Sequence, residues 1–457
     1  MMTTRRLRIS AALLALLPLL AACGTDGPID AVSNLNPFKK APLVDPGNRK
    51  PLLEVSDPTR GITNGVAKIG AATASSDWPQ VGGPASNDPG NVAGSIQGVR
   101  YWSLKAGASG FGSEYMGMSS SRGRRISARP VASGGLVYVY DASGVVSGYK
   151  IANGGAAWHV SAYPSGQSDS VSGGGLAVSG NQVLVATGYG EVLALDKATS
   201  NILWRVKIDA PARSAPAVGG GKVIVMSQAG TVNVLDQATG ASVWKASTDV
   251  SGASLLGSMS AAVTADTVIV PGANGQVLAF DLKTGAPKWQ ATIAGGSNIS
   301  AVTGLRDASA SPVVHGDTVY ATGVGGALVA ISLKTGETVW QQQIGSADTP
   351  VVSGDSLFLL DLEGRMIAVN RLKGNVIWAT ELPDTAESRK KGAWAGPVMA
   401  GGKLYAVSND GRLAIVDAAT GAVSNTANLG YAGAIAPILA SGKMLVLGGD
   451  GLLAAVN

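Results

Sequence analysis

One tryptophan recurs at a fixed place in a repeated frame of 31 residues, and this repeat constrains the fold more than any other feature of the chain. Residues 216–246 read PAVGGGKVIVMSQAGTVNVLDQATGASVWKA, residues 261–291 read AAVTADTVIVPGANGQVLAFDLKTGAPKWQA, and residues 312–342 read PVVHGDTVYATGVGGALVAISLKTGETVWQQ. The same frame fits 130–160, 176–206, 350–380 and 397–427, which gives seven complete units. Trp158, Trp204, Trp244, Trp289, Trp340 and Trp378 share one position of it, which Asn425 takes in the last unit. A large flat side chain at every repeat suits packing between neighbouring sheets, where each ring buries roughly 150–250 Å².

Each unit decodes as four short strands. In 216–246 they are Pro216-Ala217-Val218, Val223-Ile224-Val225, Val232 to Leu235, and the stretch that carries Trp244. Gly219, Gly230 and the run Asp236 to Gly240 supply the turns. Asp accepts bonds from nearby backbone N–H groups, and Gly takes a positive φ without strain. Four short strands repeated in this way indicate propeller blades. Residues 437–457 begin an eighth unit and stop where the turn Asp would stand. Val99 to Leu104 matches 201–206, so Trp102 aligns with Trp204 and this stretch supplies the missing fourth strand. The expectation is an all-β, eight-bladed β-propeller of four-stranded antiparallel blades. An N-terminal strand completes the last blade and removes an open sheet edge. The composition agrees. Gly accounts for 63 of 457 residues, as tight turns require, and only 14% of residues are charged. With 46% hydrophobic residues the chain can bury a core, which argues against disorder.

The first 22 residues read as a lipoprotein signal peptide. Arg5, Arg6 and Arg8 precede the apolar run Ile9 to Ala22, which is shorter than the about 20 residues a membrane-spanning helix needs. Leu20-Ala21-Ala22-Cys23 has the form of a bacterial lipobox. Cys23 is the single cysteine of the chain, so it has no internal disulfide partner, and lipidation gives the thiol a use. Loss of residues 1–22 removes three Arg and no acid, leaving 32 basic against 30 acidic residues, a balance that carries no nucleic-acid signal. Residues 23–74 read as the lipidated Cys and a Pro-rich tether, with Pro28, Pro37, Pro42, Pro46, Pro51 and Pro58. Residues 75–457 form the propeller.

The stretch Ala279-Phe280-Asp281-Leu282-Lys283-Thr284-Gly285, followed by Trp289, resembles the repeat of the pyrroloquinoline-quinone (PQQ) propellers. Ala194-Leu195-Asp196 with Trp204, and Ala330-Ile331-Ser332 with Thr335-Gly336 and Trp340, are variants of it. Asp77-Trp78-Pro79-Gln80 with Gly82-Gly83 resembles the usual opening of such a domain. One branch of that superfamily, the quinoprotein dehydrogenases, carries a pair of adjacent cysteines that this chain lacks. The chain resembles instead the BamB-type lipoproteins of the outer-membrane β-barrel assembly (BAM) machinery. That resemblance implies a non-enzymatic scaffold without cofactor, held by its lipid anchor on the periplasmic face of the outer membrane. Its implied partners are the POTRA domains of BamA and nascent outer-membrane β-barrel proteins. Gly24 after the Cys resembles the outer-membrane sorting class.

The same resemblance implies that neighbouring inter-blade loops hold the partner: Leu255 and Leu256 in 247–260, and Leu305, Arg306 and Asp307 in 292–311. Leu256 and Asp307 align best, while small residues near Gly257 replace the basic residue of the first loop. No catalytic or metal residue is expected from the chain itself. The two histidines, His159 and His315, have no second His, Cys or Asp at metal-ligand spacing. The basic loops 105–129, with Arg122, Arg124, Arg125 and Arg129, and 379–396, with Arg389, Lys390, Lys391 and Trp394, read as solvated. Two alternatives stay open: a PQQ-dependent dehydrogenase-like enzyme and a periplasmic ligand-binding propeller.

Overall fold

The computed structural model describes residues 57–107, 126, 128–141, 143–166, 173–249, 259–293, 310–383, 393–430, 433 and 435–457. These form eight four-stranded antiparallel sheets, the blades of a β-propeller. Blades 1 to 7 span 131–161, 174–207, 217–247, 262–292, 313–342, 351–381 and 394–428. Blade 8 joins Ile438–Ala440, Lys443–Leu447 and Leu452–Val456 to the N-terminal strand Arg100–Lys105, as the sequence predicts. In blades 1 to 7 the strands follow chain order, and in blade 8 the N-terminal strand takes the outer place. The first strand is buried, as in Ala217–Gly219, and the fourth is largely exposed, as in Ser242–Ser247.

The turn between strands three and four repeats one pattern of hydrogen bonds. Asp236 Oδ1 accepts the Ala238 and Thr239 N–H groups and the Thr239 hydroxyl, at 3.0–3.1 Å. Asp196 and Asp281 do the same for their own turns. This closes the tight turn that the Asp-x-x-Thr-Gly spelling specifies. The turn then serves a second purpose, because the tryptophan of the preceding blade binds to it. Trp204 Nε1 donates to Gln237 O at 3.0 Å, and Trp244 Nε1 to Leu282 O at 3.0 Å. Trp158, Trp289, Trp340 and Trp378 reach Lys197, Leu333, Arg371 and Ala418 in the same way, at 2.7–3.2 Å. Trp102 of the N-terminal strand reaches Ile151 O of blade 1 at 2.8 Å, so the latch also closes the ring. Gly240 shows why the turn needs glycine: its φ is +75°, and a Cβ there would stand 2.7 Å from the Trp204 ring. Ser200 holds the equivalent position in blade 2 at φ 62°.

A β-bulge turns each tryptophan inward. Val234 faces Trp244 but Leu235 faces Ser242, so Val243 is an extra residue pushed outward. The same irregularity occurs in the outer strand of every blade. It leaves Tyr101, Leu203, Val243 and Val339 between 39% and 58% exposed, and it blunts the outer edges against pairing with other strands.

The segment before the closing strand is a strap across the first strands. Trp78 exchanges two backbone bonds with Ala132 of blade 1, each 2.8 Å. Pro79 O accepts from Val178 of blade 2, Ala85 O from Val263 of blade 4, and Ser86 O from Val314 of blade 5, at 2.7–2.9 Å. The Gln80 amide brackets Val218 of blade 3, donating to its carbonyl at 2.9 Å and accepting its N–H at 2.8 Å. Gly70 N–H donates to Ser353 Oγ of blade 6, Val92 N–H to Met399 O of blade 7, and Ser441 N–H of blade 8 to Ser76 O, at 3.0–3.1 Å. Further toward the N-terminus, Gly65 N–H donates to Ile377 O at 2.8 Å, and Arg365 donates to Asp57 Oδ2 at 2.9 Å and to Thr59 Oγ1 at 2.7 Å. The boundary drawn at residue 74 therefore falls inside a segment already bound to the ring. Its Pro-poor, Gly-rich spelling gives little sign of this, because apart from Asp57 and Thr59 the bonds are made by its backbone.

Two substitutions test this account. Trp244→Phe removes an indole donor and strands the Leu282 carbonyl at a blade seam. It is expected to cost about 1–3 kcal/mol, seen as a lower urea midpoint. Ser200→Gly relieves a left-handed L-residue, worth roughly 1–2 kcal/mol, against roughly 0.5–1 kcal/mol of added chain entropy. The midpoint should rise slightly, and a fall would show that the serine makes a compensating contact.

Candidate functional site

The ring axis is the first place to look for chemistry. The residues heading the first strands converge there, and they bind each other across blades. Arg129 lies against Trp78, its guanidinium 5.3 Å from the ring centroid. It donates to Val81 O at 2.8 Å, to Ala436 O at 3.1 Å, and to Pro437 O. The solvated-loop reading of Arg129 is therefore corrected: it is 6% exposed and ties the strap to blade 8. Burial pulls its pKa down to about 10, which leaves it cationic at neutral pH. Asn87 of the strap donates to Ala261 O and Pro312 O at 3.1 and 2.9 Å and accepts from the Ser260 hydroxyl at 3.2 Å. Ser260 N–H donates to Ser311 Oγ, and Ser311 N–H to Thr349 Oγ1, at 3.0 and 3.2 Å. Next to Thr349, Asp348 accepts the Gly396 N–H at 3.3 Å, and burial pushes its carboxyl up to about 6 despite that bond and the charge of Arg129. This arrangement joins successive blades, and its polar groups are engaged with the protein's own backbone and side chains.

Gln80, Asn87 and Arg129 carry no periodic signal, so sequence reasoning does not single out their roles. The Trp-Pro-Gln spelling at 78–80 is the one visible sign of the strap.

The two histidines do not meet. His315 Nδ1 lies 2.7 Å from Asp88 Oδ2 of the strap, and burial raises the Asp88 pKa against that contact. His159 is exposed on the outer strand of blade 1. It lines an open groove with Lys105, Asp141, Ser147 and Tyr149 at the seam with blade 8. Among the described residues no group of three or more His, Cys, Asp or Glu is placed to hold a metal ion. Trp394, outside the repeat column, stacks with Arg412 at 5.5 Å.

The loops between blades share one face. In six of blades 1 to 7 the residue that follows the fourth strand donates its N–H to a glycine carbonyl in the turn between strands two and three of its own blade. Ala162, Ile208, Thr248, Ile293, Leu382 and Leu429 bind Gly144, Gly190, Gly230, Gly275, Gly364 and Gly411 in this way, at 2.6–3.3 Å. These six inter-blade connections therefore leave on the face that carries those turns. The two loops expected to bind a partner flank blade 4. Gln276 Nε2, at the start of that blade's third strand, donates to Asp249 Oδ2 at 2.6 Å and pins the first loop beside the exit of the second. Leu255, Leu256, Leu305, Arg306 and Asp307 themselves lie outside the described residues, as does Cys23.

Comparison with known proteins agrees with this architecture. The family model described as outer membrane protein assembly factor BamB matches residues 142–380 and 364–457. The curated BamB of Salmonella typhimurium (strain LT2) is 36% identical over 223 residues, which are 48% of this chain and 57% of that protein. The BamB of Escherichia coli (strain K12) is 35% identical over 251 residues, 54% of this chain and 61% of that one. The match thus spans less than two thirds of the length of these relatives. The crystal structure of BamB from Moraxella catarrhalis superposes with a TM-score of 0.64 at 24% identity, covering 79% of this chain and 99% of its own. The quinohemoprotein alcohol dehydrogenase of Comamonas testosteroni shares the fold, with a TM-score of 0.63 at 15% identity over 84% of this chain and 81% of its own. With the family model covering well over half of its length, the chain belongs to the outer membrane protein assembly factor BamB family.

Proposed function

We propose that the chain is a non-enzymatic scaffold lipoprotein that assists assembly and insertion of β-barrel proteins into the outer membrane. It is lipidated at Cys23 and held on the periplasmic face of that membrane by the tether, and the ring from about residue 75 onward is its working domain. Loops 247–260 and 292–311 hold a POTRA domain of BamA within the BAM complex, through Leu255, Leu256, Leu305, Arg306 and Asp307. The observation that carries this reading is the placement of both loops on the flanks of blade 4, on one face, with their described ends pinned to the ring. Adjacent leucines beside an Arg–Asp pair fit an interface with an apolar centre and a polar rim. The bulged outer strands offer poor templates for edge pairing, which favours the loops over the blade edges as the contact.

A scaffold role without catalysis is supported by how the axial groups are used. Arg129 spends its donors on three backbone carbonyls, and Asn87 its amide on two more. The groups that could meet a ligand at the axis instead hold blades together.

The test is capture of purified BamA POTRA domains by the full chain. Leu256→Arg with Asp307→Arg is expected to weaken capture at least about tenfold, the effect of losing about 1.4 kcal/mol at an interface centre. Undiminished capture removes these loops from the site. A purified protein that carries a quinone chromophore and reduces dye in a Ca²⁺-dependent way would overturn the non-enzymatic reading.

A further inference from the structure

We propose that the seam between blades 7 and 8 is the point at which the ring opens, and that residues 92–99 are the clasp that keeps it shut. Seven seams carry a tryptophan latch. The eighth does not, because Asn425 takes the tryptophan position in blade 7 and its side chain is exposed.

The turn that faces this position is also built differently from the others. In blade 8 this turn is split. Asn457 stands where Asp236 and Asp281 stand in other blades, and Gly98 stands where Gly240 and Gly285 stand, four residues before the tryptophan. The two halves rebuild one backbone bond of the intact turn and replace the other, which there runs from Gly240 N–H to Asp236 O. Asn457 N–H donates to Val99 O at 2.8 Å, as Asp236 N–H does to Ala241 O at 2.8 Å. Gln97 and Val99 N–H both donate to Asn457 O, at 2.8 and 3.1 Å. In the other seams the carbonyl that accepts the indole belongs to the residue after the turn Asp or its equivalent, as in Gln237 and Leu282.

The strap replaces the latch with contacts of another kind. Val92 exchanges bonds with blade 7, donating to Met399 O at 3.1 Å and accepting from Gly401 at 2.9 Å. Ile96 N–H donates to the Tyr405 hydroxyl at 3.2 Å. Val92 and Ile96 are buried in one apolar cluster with Leu413 and Ile415 of blade 7 and Leu439 and Met444 of blade 8. Gly98, at φ +83°, packs so closely that a Cβ would meet the Ala427 methyl at 2.7 Å. The clasp is thus made of segments far apart in sequence, while the other seams are held by neighbours along the chain. Local opening is favoured where stabilising contacts are fewer, and this is the one seam without the indole bond.

Amide hydrogen exchange on the full chain tests the proposal. In the wild type, peptides over 423–428 and 438–440 should exchange about tenfold faster than the equivalent strands of blades 2 to 5. Tyr405→Phe removes one clasp bond without disturbing the core. It should speed exchange in those two peptides and leave blades 3 and 4 unchanged. Trp289→Phe should bring the seam of blades 4 and 5 toward the rate of the unlatched one. Equal protection at all eight seams in the wild type would overturn the proposal, and so would a uniform acceleration of all blades in Tyr405→Phe.

Discussion

An indole N–H bound to the carbonyl of the next blade's turn is the contact on which this ring depends. It joins the outer strand of one blade to the turn of the next, so it ties neighbouring sheets together. The other repeated features serve it. The bulge before each tryptophan rotates the ring inward, the Asp-capped turn fixes the acceptor, and the glycine clears room for the indole face. At Trp378 the side chain is fully buried as well as bonded, so one residue supplies both the apolar area and the direction of the seam.

Much of this architecture is legible in the sequence because it is periodic. The 31-residue frame marks the blades, and Val99 to Leu104 reveals the closing strand by its likeness to 201–206. The role of the tryptophans as packing residues also follows from their spacing. Their hydrogen bonds do not, since the acceptor is a backbone carbonyl in another unit and any residue type can provide it. The departure at Asn425 is visible in the sequence, but the pairing of Asn457 with Gln97 and Val99 in the turn that faces it is not.

The strap is the part least legible. Its bonds to the first strands of the blades are mostly made by its own backbone, which leaves no imprint on residue type. Arg129 shows the same limit from the other side. Its neighbours Arg122, Arg124 and Arg125 make it look like one more cation of a polar loop, yet it alone is shown buried against Trp78. The candidate partner residues are legible only through family resemblance, because Leu and Asp in an inter-blade loop carry no pattern of their own. What the structure adds is the common face on which those loops leave the ring.

The path of the N-terminal chain also gives the ring a mechanical character. A pull applied ahead of Asp57 meets the ion pair with Arg365 first, then the bonds of Gly65 to blade 6 and of Gly70 to Ser353. It must next peel the strap from one first strand after another before it reaches Arg100–Lys105. Tension is therefore met by one attachment after another around the circumference before it reaches the one strand whose removal would unzip the circle.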